Sequence, residues 1–376
     1  MTPLGPNAQL ALDTILGRPV RGIPSSLIHP MDHALIERFA GAEGGTYRRD
    51  PHGVYLAFQR AIGTCVIDQY LAENPLSMGP RGYEGAAHGA TTGAHEIVCD
   101  GITIGSPEAV VEHLERFVFP ALQAQVRAFD EGIRVREILV HEASLQERIG
   151  PEILKAPYGW ASFPALAYGT YGYVSYFEAY ALYPEVMERH FSLQADVAIL
   201  NNRAGARAYA EGSLPPIHRL DHDMADSRGT LVRVETLDRL WFPHFARSIE
   251  PLVRAGVRLL WHCDGNLMAM VPRLIEVGVG GFQGFQYEDG MDYERICKMK
   301  TRDGDHLFIM AGVSVTRTLP FGTPDDVRRE LAFLVEHGPP AGLLLAGSST
   351  ICPGTPWGNT EALVEGLAYY RTHGRD

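Results

Sequence analysis

The chain has 376 residues, 45% hydrophobic and 21% charged, which is enough apolar material to bury a core and too much for a disordered polypeptide. Its 33 Lys+Arg stand against 45 Asp+Glu, a formal charge of −12 with no basic block, which argues against nucleic acid or an anionic membrane as the main partner. No apolar run reaches the roughly 18 residues of a spanning helix. The first residues, Met1 to Pro6, show no charged region followed by an apolar one, so a signal peptide is not expected. Five cysteines without a CxxC read as free thiols, and a reducing cytoplasm is the expected compartment.

In chain order, the first half gives few clear elements. Ile138–Val140 and Pro157–Ala161 are possible strands, and Tyr183–Glu211 holds a long helix opening at Pro184. Pro216–Leu220 reads as a strand ending at Asp221, with a helix from about Thr236 to Ala255. From there the pattern is regular. Val257–Trp261 is a short apolar strand, and Leu267–Val277 is a helix that stops at Gly278. Gly281–Phe285 is a strand, followed by a helix near Met291–Lys300. Leu307–Met310 is a strand, and Thr323 caps a helix running to His337 with Pro324 in its first turn. Leu343–Leu345 is a strand, and Asn359–Tyr370 the last helix. Strand–helix alternation of this kind means a parallel sheet covered on both faces. A total near eight units predicts a (β/α)8 barrel in one domain, 1–376. Residues 1–130 would supply N-terminal helices, loops and the first barrel elements, and 131–376 the main barrel.

Reactive residues of such a barrel follow the C-terminal ends of its strands. Those positions hold Asp221-His222-Asp223, His262-Cys263-Asp264, Glu288 and Cys352. His262 and Asp264 are two apart, so extended backbone points both the same way and turns Cys263 into the wall. His262, Asp264 and a Cys352 thiolate form a candidate zinc set, with Glu288 as the alternative carboxylate. The competing interpretation is a hydrogen-bonded core histidine and a buried thiol. Asp221, Asp223 and Glu288 are candidate catalytic carboxylates. Tyr168, Tyr171, Tyr173, Tyr176 and Phe177 either wall a flat substrate, with His222 beside them, or simply pack around a loop. Cys65, Cys99 and Cys297 have no partner at ligand spacing and read as structural. No GxSxG, HExxH or phosphate-loop pattern occurs.

Several segments resemble the uroporphyrinogen decarboxylase superfamily, in particular its corrinoid-dependent methyltransferases. They are Pro157–Phe163 (PYGWASF), Leu182–Glu185, Asp221–Gly229, His262–Asn266 (HCDGN), Gln286–Asp292 and Gly312–Asn359, the last containing Cys352-Pro353-Gly354-Thr355-Pro356. The resemblance is carried by residues 150–376 and implies a (β/α)8 barrel. The methyltransferases bind zinc through a His-x-Cys pair and a later Cys, which correspond to His262, Asp264 and Cys352. Asp264 replaces the middle Cys, so the metal loses one thiolate's donated charge and becomes a stronger Lewis acid. The resemblance therefore implies zinc and cobalamin carried on a partner corrinoid protein; the stronger Lewis acid suits demethylation of a small O-methyl compound, and Tyr168, Tyr171, Tyr173, Tyr176 and Phe177 suit an aromatic one. The alternative within the superfamily is a metal-free decarboxylase of a uroporphyrinogen-like tetrapyrrole. It would use Asp221 or Asp223 on the pyrrole N–H groups, but the arginine-rich N-terminal segment of those enzymes is missing.

Overall fold

In the computed structural model, which describes residues 3–27, 30–73, 78–79, 82–83 and 88–376, a ring of parallel strands organises the chain. The strands are β1 (Val66–Ile67), β2 (Leu154–Lys155), β3 (Ile217–Asp221), β4 (Arg258–His262), β5 (Val279–Gln283), β6 (Phe308–Val313) and β7 (Leu343–Gly347). β3 to β7 pair in sequence order as one parallel sheet, and β1 pairs with β2. Single bridges join the two groups. Tyr158, just past β2, pairs in parallel with Arg219 of β3. On the other side residues 24–26 lie between β7 and β1. There Ser25 bridges Leu345, and its carbonyl accepts the Cys65 N–H at 2.8 Å. Together with residues 24–26, the seven strands close a barrel of eight parallel segments.

The barrel interior is packed, not hollow. Val66, Leu154, Ile217, Leu260, Phe308 and Leu344 form one buried cluster with Ala8, Ala11 and Ile15 of helix α1 (Pro6–Ile15). α1 plugs the N-terminal end, where the Gly5 N–H bonds the Pro151 carbonyl and Asn7 reaches the Gly63 carbonyl. Toward the other end the inward positions turn polar at a spacing of two: Ile217, Arg219, Asp221 and Leu260, His262, Asp264. The apolar floor and the reactive mouth are thus written into the same strands. At Gly312 of β6 the strands approach so closely that a Cβ would lie 2.1 Å from the Gly347 carbonyl carbon, so only glycine fits.

Outer helices cover the barrel. Residues 138–140 belong to α2 (Glu131–Ile149), not to a strand. Asp130 caps its start by accepting the Ile133 N–H, and Val135, Ile138, Glu142 and Ile149 share its buried face. A three-residue apolar run carries no period, and the helix-spaced neighbours decide it. In 157–161 only Tyr158 pairs, because the strand lies earlier, at β2, and Gly159 breaks the extension with φ +81. α3 (Tyr173–Leu182) leads into α4 (Pro184–Gly212), which opens on Pro184. The helix expected over 236–255 breaks at Trp241 into α5 (Val234–Leu240) and α6 (Phe242–Arg254), with Pro243 in the first turn of α6. α7 (Val271–Val277), α8 (Tyr293–Lys298), α9 (Pro324–His337) and α10 (Trp357–His373) then follow β4 to β7 one by one. α9 carries a full capping box between Thr323 and Asp326. Among the described residues no helix is long and apolar enough to cross a membrane.

Candidate functional site

β3 and β4 are neighbours in register, with Asp221 opposite His262. Their continuations bring Asp223, His262 and Asp264 together, with possible ligand atoms all within 4.8 Å of one another. His262 Nε2 stands 4.0 Å from Asp264 Oδ1. Asp223 Oδ1 accepts the Asp264 N–H at 2.9 Å, and Ser349 donates to Asp264 Oδ2 at 3.3 Å. Among the described residues Asp264 Oδ1 and His262 Nδ1 are buried without a hydrogen-bond partner. Burial raises the Asp264 pKa, the nearby His262 opposes this, and the Asp223 charge adds to it. Two crowded carboxylates, an imidazole and an orphaned buried oxygen fit a divalent cation, whose charge would offset the burial. Gly284 closes the far side of the imidazole. It sits at φ +85, and a Cβ there would come within 2.7 Å of His262 Nδ1.

Below this group lies a cavity of about 230 Å³ lined by Arg219, Asp221, His262, Asp264, Gln283 and Met310, among others. Its base is a buried ion triad. Arg219, 7% exposed, donates through Nε to Asp68 Oδ2 at 2.6 Å and through Nη1 to both Asp221 oxygens at 2.9 and 3.0 Å. Tyr158 donates to Asp221 Oδ2 at 2.5 Å, and its ring lies against the guanidinium at 4.9 Å. Burial by itself would raise Asp68, but the charge and hydrogen bonds of Arg219 prevail and hold its pKa below the usual value. Burial, reinforced by the Asp221 charge, pushes the Tyr158 hydroxyl up, so it stays a proton donor.

The remaining candidates are spread out. Cys352 lies on the loop after β7, with Sγ 3.9 Å from the Thr350 carbonyl, and is not in the 4.8 Å group; Asp223 is. Burial raises its thiol pKa. Glu288 accepts from Ser314 at 2.6 Å and from Thr316, tying the loops after β5 and β6 together. His222 is half-buried and accepts the Leu166 N–H at 2.9 Å, and desolvation lowers its pKa to about 4. Tyr168 stacks on both His222 and Tyr173, with Phe177 alongside, and its hydroxyl holds the Asp223 carbonyl at 2.6 Å. Tyr171 and Tyr176 are core residues, 2% and 0% exposed; Tyr171 bonds His113. Among the described residues none of these five aromatics lines the cavity. Cys263 is indeed a wall residue, buried, with its thiol pushed up to about 12 by burial.

Sequence reasoning passed over Asp68, Tyr158, Arg219 and Gln283. The signal for Arg219 was present: a charged residue alternating with Ile217 and Asp221 along one face of the strand. Asp68 gave none, since a two-residue strand has no period to read.

No protein-family model matches the sequence, and no curated protein matches it. Among solved structures, a methyltransferase from Methanosarcina mazei superposes over 97% of this chain and 98% of its own, at TM-score 0.58 and 16% identity. A putative vitamin-B12 independent methionine synthase from Listeria monocytogenes aligns over 94% and 96% at TM-score 0.39 and 10% identity. The chain therefore has an α/β barrel fold that it shares, nearly end to end, with the Methanosarcina protein.

Proposed function

We propose that the protein is a zinc-dependent methyltransferase that removes a methyl group from a small O-methylated molecule and passes it to a corrinoid carried by a partner protein. The observation that carries this reading is the Asp223–His262–Asp264 group at the mouth of a barrel cavity. The fold shared with a methyltransferase supports it. Imidazole and carboxylate donors suit zinc, which would act here as a Lewis acid toward an ether oxygen. His262, Asp264 and Asp223 would hold it; Ser349 donates to Asp264, and glycine at 284 leaves the imidazole its room.

The chain's own residues supply the rest. Losing a methyl leaves charge on the ether oxygen, and the site must stabilise that charge. Tyr158, kept protonated, donates to Asp221 Oδ2 and holds that carboxylate at the cavity base. Glu288 acts by holding the β5 and β6 loops.

The test is methylcobalamin formation from methoxylated aromatics and cob(I)alamin, free or protein-bound, followed by absorbance. Zinc-loaded protein should transfer and chelated protein should not. Turnover of uroporphyrinogen by the chelated protein would replace this reading with decarboxylation.

A further inference from the structure

Among the described residues the cavity base contains one cationic side chain, and it is already committed. Arg219 gives Nε to Asp68, Nη1 to both oxygens of Asp221, and Nη2 to Asp68 at 3.5 Å, with Tyr158 across its face. No flat pair of N–H groups remains to grip a carboxylate. The cavity offers acceptors instead. Gln283 is 9% exposed and donates Nε2 to the Ser348 carbonyl at 3.1 Å. A carbonyl only accepts, so this bond fixes the amide orientation and leaves Oε1 as a buried acceptor without a partner among the described residues. The charges agree. A bound dication would cancel Asp223 and Asp264, and Arg219 cancels one of Asp68 and Asp221. One negative charge is left at the base.

We infer that the substrate is a monocation: a methyl ether that also bears a protonated amine, whose N–H groups meet Gln283 Oε1 and Asp221. An ammonium group supplies the donors that Gln283 lacks and the charge that the triad leaves unbalanced. A carboxylate in the same place would face Gln283 Oε1 and two aspartates. The ether and the dication are taken from the methyltransferase reading; the Gln283 acceptor and the Arg219 triad are not.

The experiment compares three probes of one shape on the full, zinc-loaded chain by calorimetry: para-methoxyphenethylamine, para-methoxyphenethyl alcohol and para-methoxyphenylacetate. The amine should bind about tenfold or more tighter than the alcohol, as hydrogen bonds to charged groups outweigh neutral ones, and the acetate should not bind measurably. Gln283→Leu should weaken the amine about tenfold. Asp221→Asn, which removes a charge and keeps the shape, should erase the preference for amine over alcohol. Acetate binding equal to amine binding, no binding of any probe, or an unchanged amine affinity in both variants would overturn the inference. Because binding is read without corrinoid, the two readings fail separately. Amine binding without methyl transfer sinks the methyltransferase reading alone, and methyl transfer from the acetate sinks the cation inference alone.

Discussion

Replacing Arg219 by methionine keeps the length of the side chain and removes its charge, leaving Asp68 and Asp221 facing one another across the barrel interior. Their side chains are 12% and 25% exposed, and that of Arg219 is 6% exposed, so solvent screens the triad little. Removing one partner of a buried ion pair typically costs about 3–5 kcal/mol. Unfolding entropy near 60 °C is roughly 2.1 cal/mol/K per residue, or about 0.8 kcal/mol/K for this chain, so the melting temperature should fall by about 4–6 °C. The loss has a pH signature. Arg219 holds Asp68 below its ordinary pKa in the folded state, so the stability it contributes is present above about pH 4, the unfolded value, and disappears as pH falls through the folded one. The gap between wild type and Arg219→Met should therefore narrow on acidification. Asp68→Asn in the same chain should recover part of the loss by removing one of the stranded charges. Circular-dichroism melts at neutral and acidic pH measure all three effects. A fall of less than about 1 °C at neutral pH, or a gap that stays constant with pH, would refute the electrostatic account of the triad.

Gly284→Ala puts a methyl group 2.7 Å from His262 Nδ1 at a positive-φ position, so it should weaken zinc binding while the fold survives; equilibrium dialysis at wild-type affinity would show that the imidazole has room to move. Burial holds His190 at about 4 and His218 at about 3, so both are neutral in the folded chain. The unfolded chain takes up a proton at each below about pH 6.5, so this stability is present above that pH and lost as pH falls toward the folded values. At about pH 5 the loss is about 2 kcal/mol per histidine, readable as a drop in the urea midpoint, and His190→Phe should remove its share. A midpoint that does not move between neutral pH and pH 5 contradicts this. Thr323→Ala removes the hydroxyl of the α9 capping box and should cost about 1 kcal/mol, seen as a lower urea midpoint at unchanged slope.

The second half of the barrel was legible because each of β4 to β7 is an apolar run closed by a turn residue, with a capped helix behind it. The first half was not. β1 and β2 span two residues each, and residues 24–26 join the ring through bridges and hydrogen bonds alone. No periodicity survives at that length, and pairing with distant strands decides such segments. At the site, the two-residue spacing of His262 and Asp264 was enough to place both inward. Asp223 was read as a catalytic carboxylate; its place in the candidate metal group follows from the turn after β3, which the Tyr168 hydroxyl holds through the Asp223 carbonyl. The aromatic segment 168–177 mixes exposed Tyr173 with core Tyr176, and composition alone cannot separate the faces of a helix that begins at Tyr173.

Zinc stoichiometry by equilibrium dialysis, compared across wild type, Asp223→Asn, His262→Ala and Cys352→Ser, reads the metal group directly. About one zinc per chain should bind to wild type and to Cys352→Ser, and binding should be lost in Asp223→Asn and His262→Ala. Wild-type zinc content in both of those last variants would contradict the Asp223–His262–Asp264 site, and with it the metal-dependent chemistry proposed for this barrel.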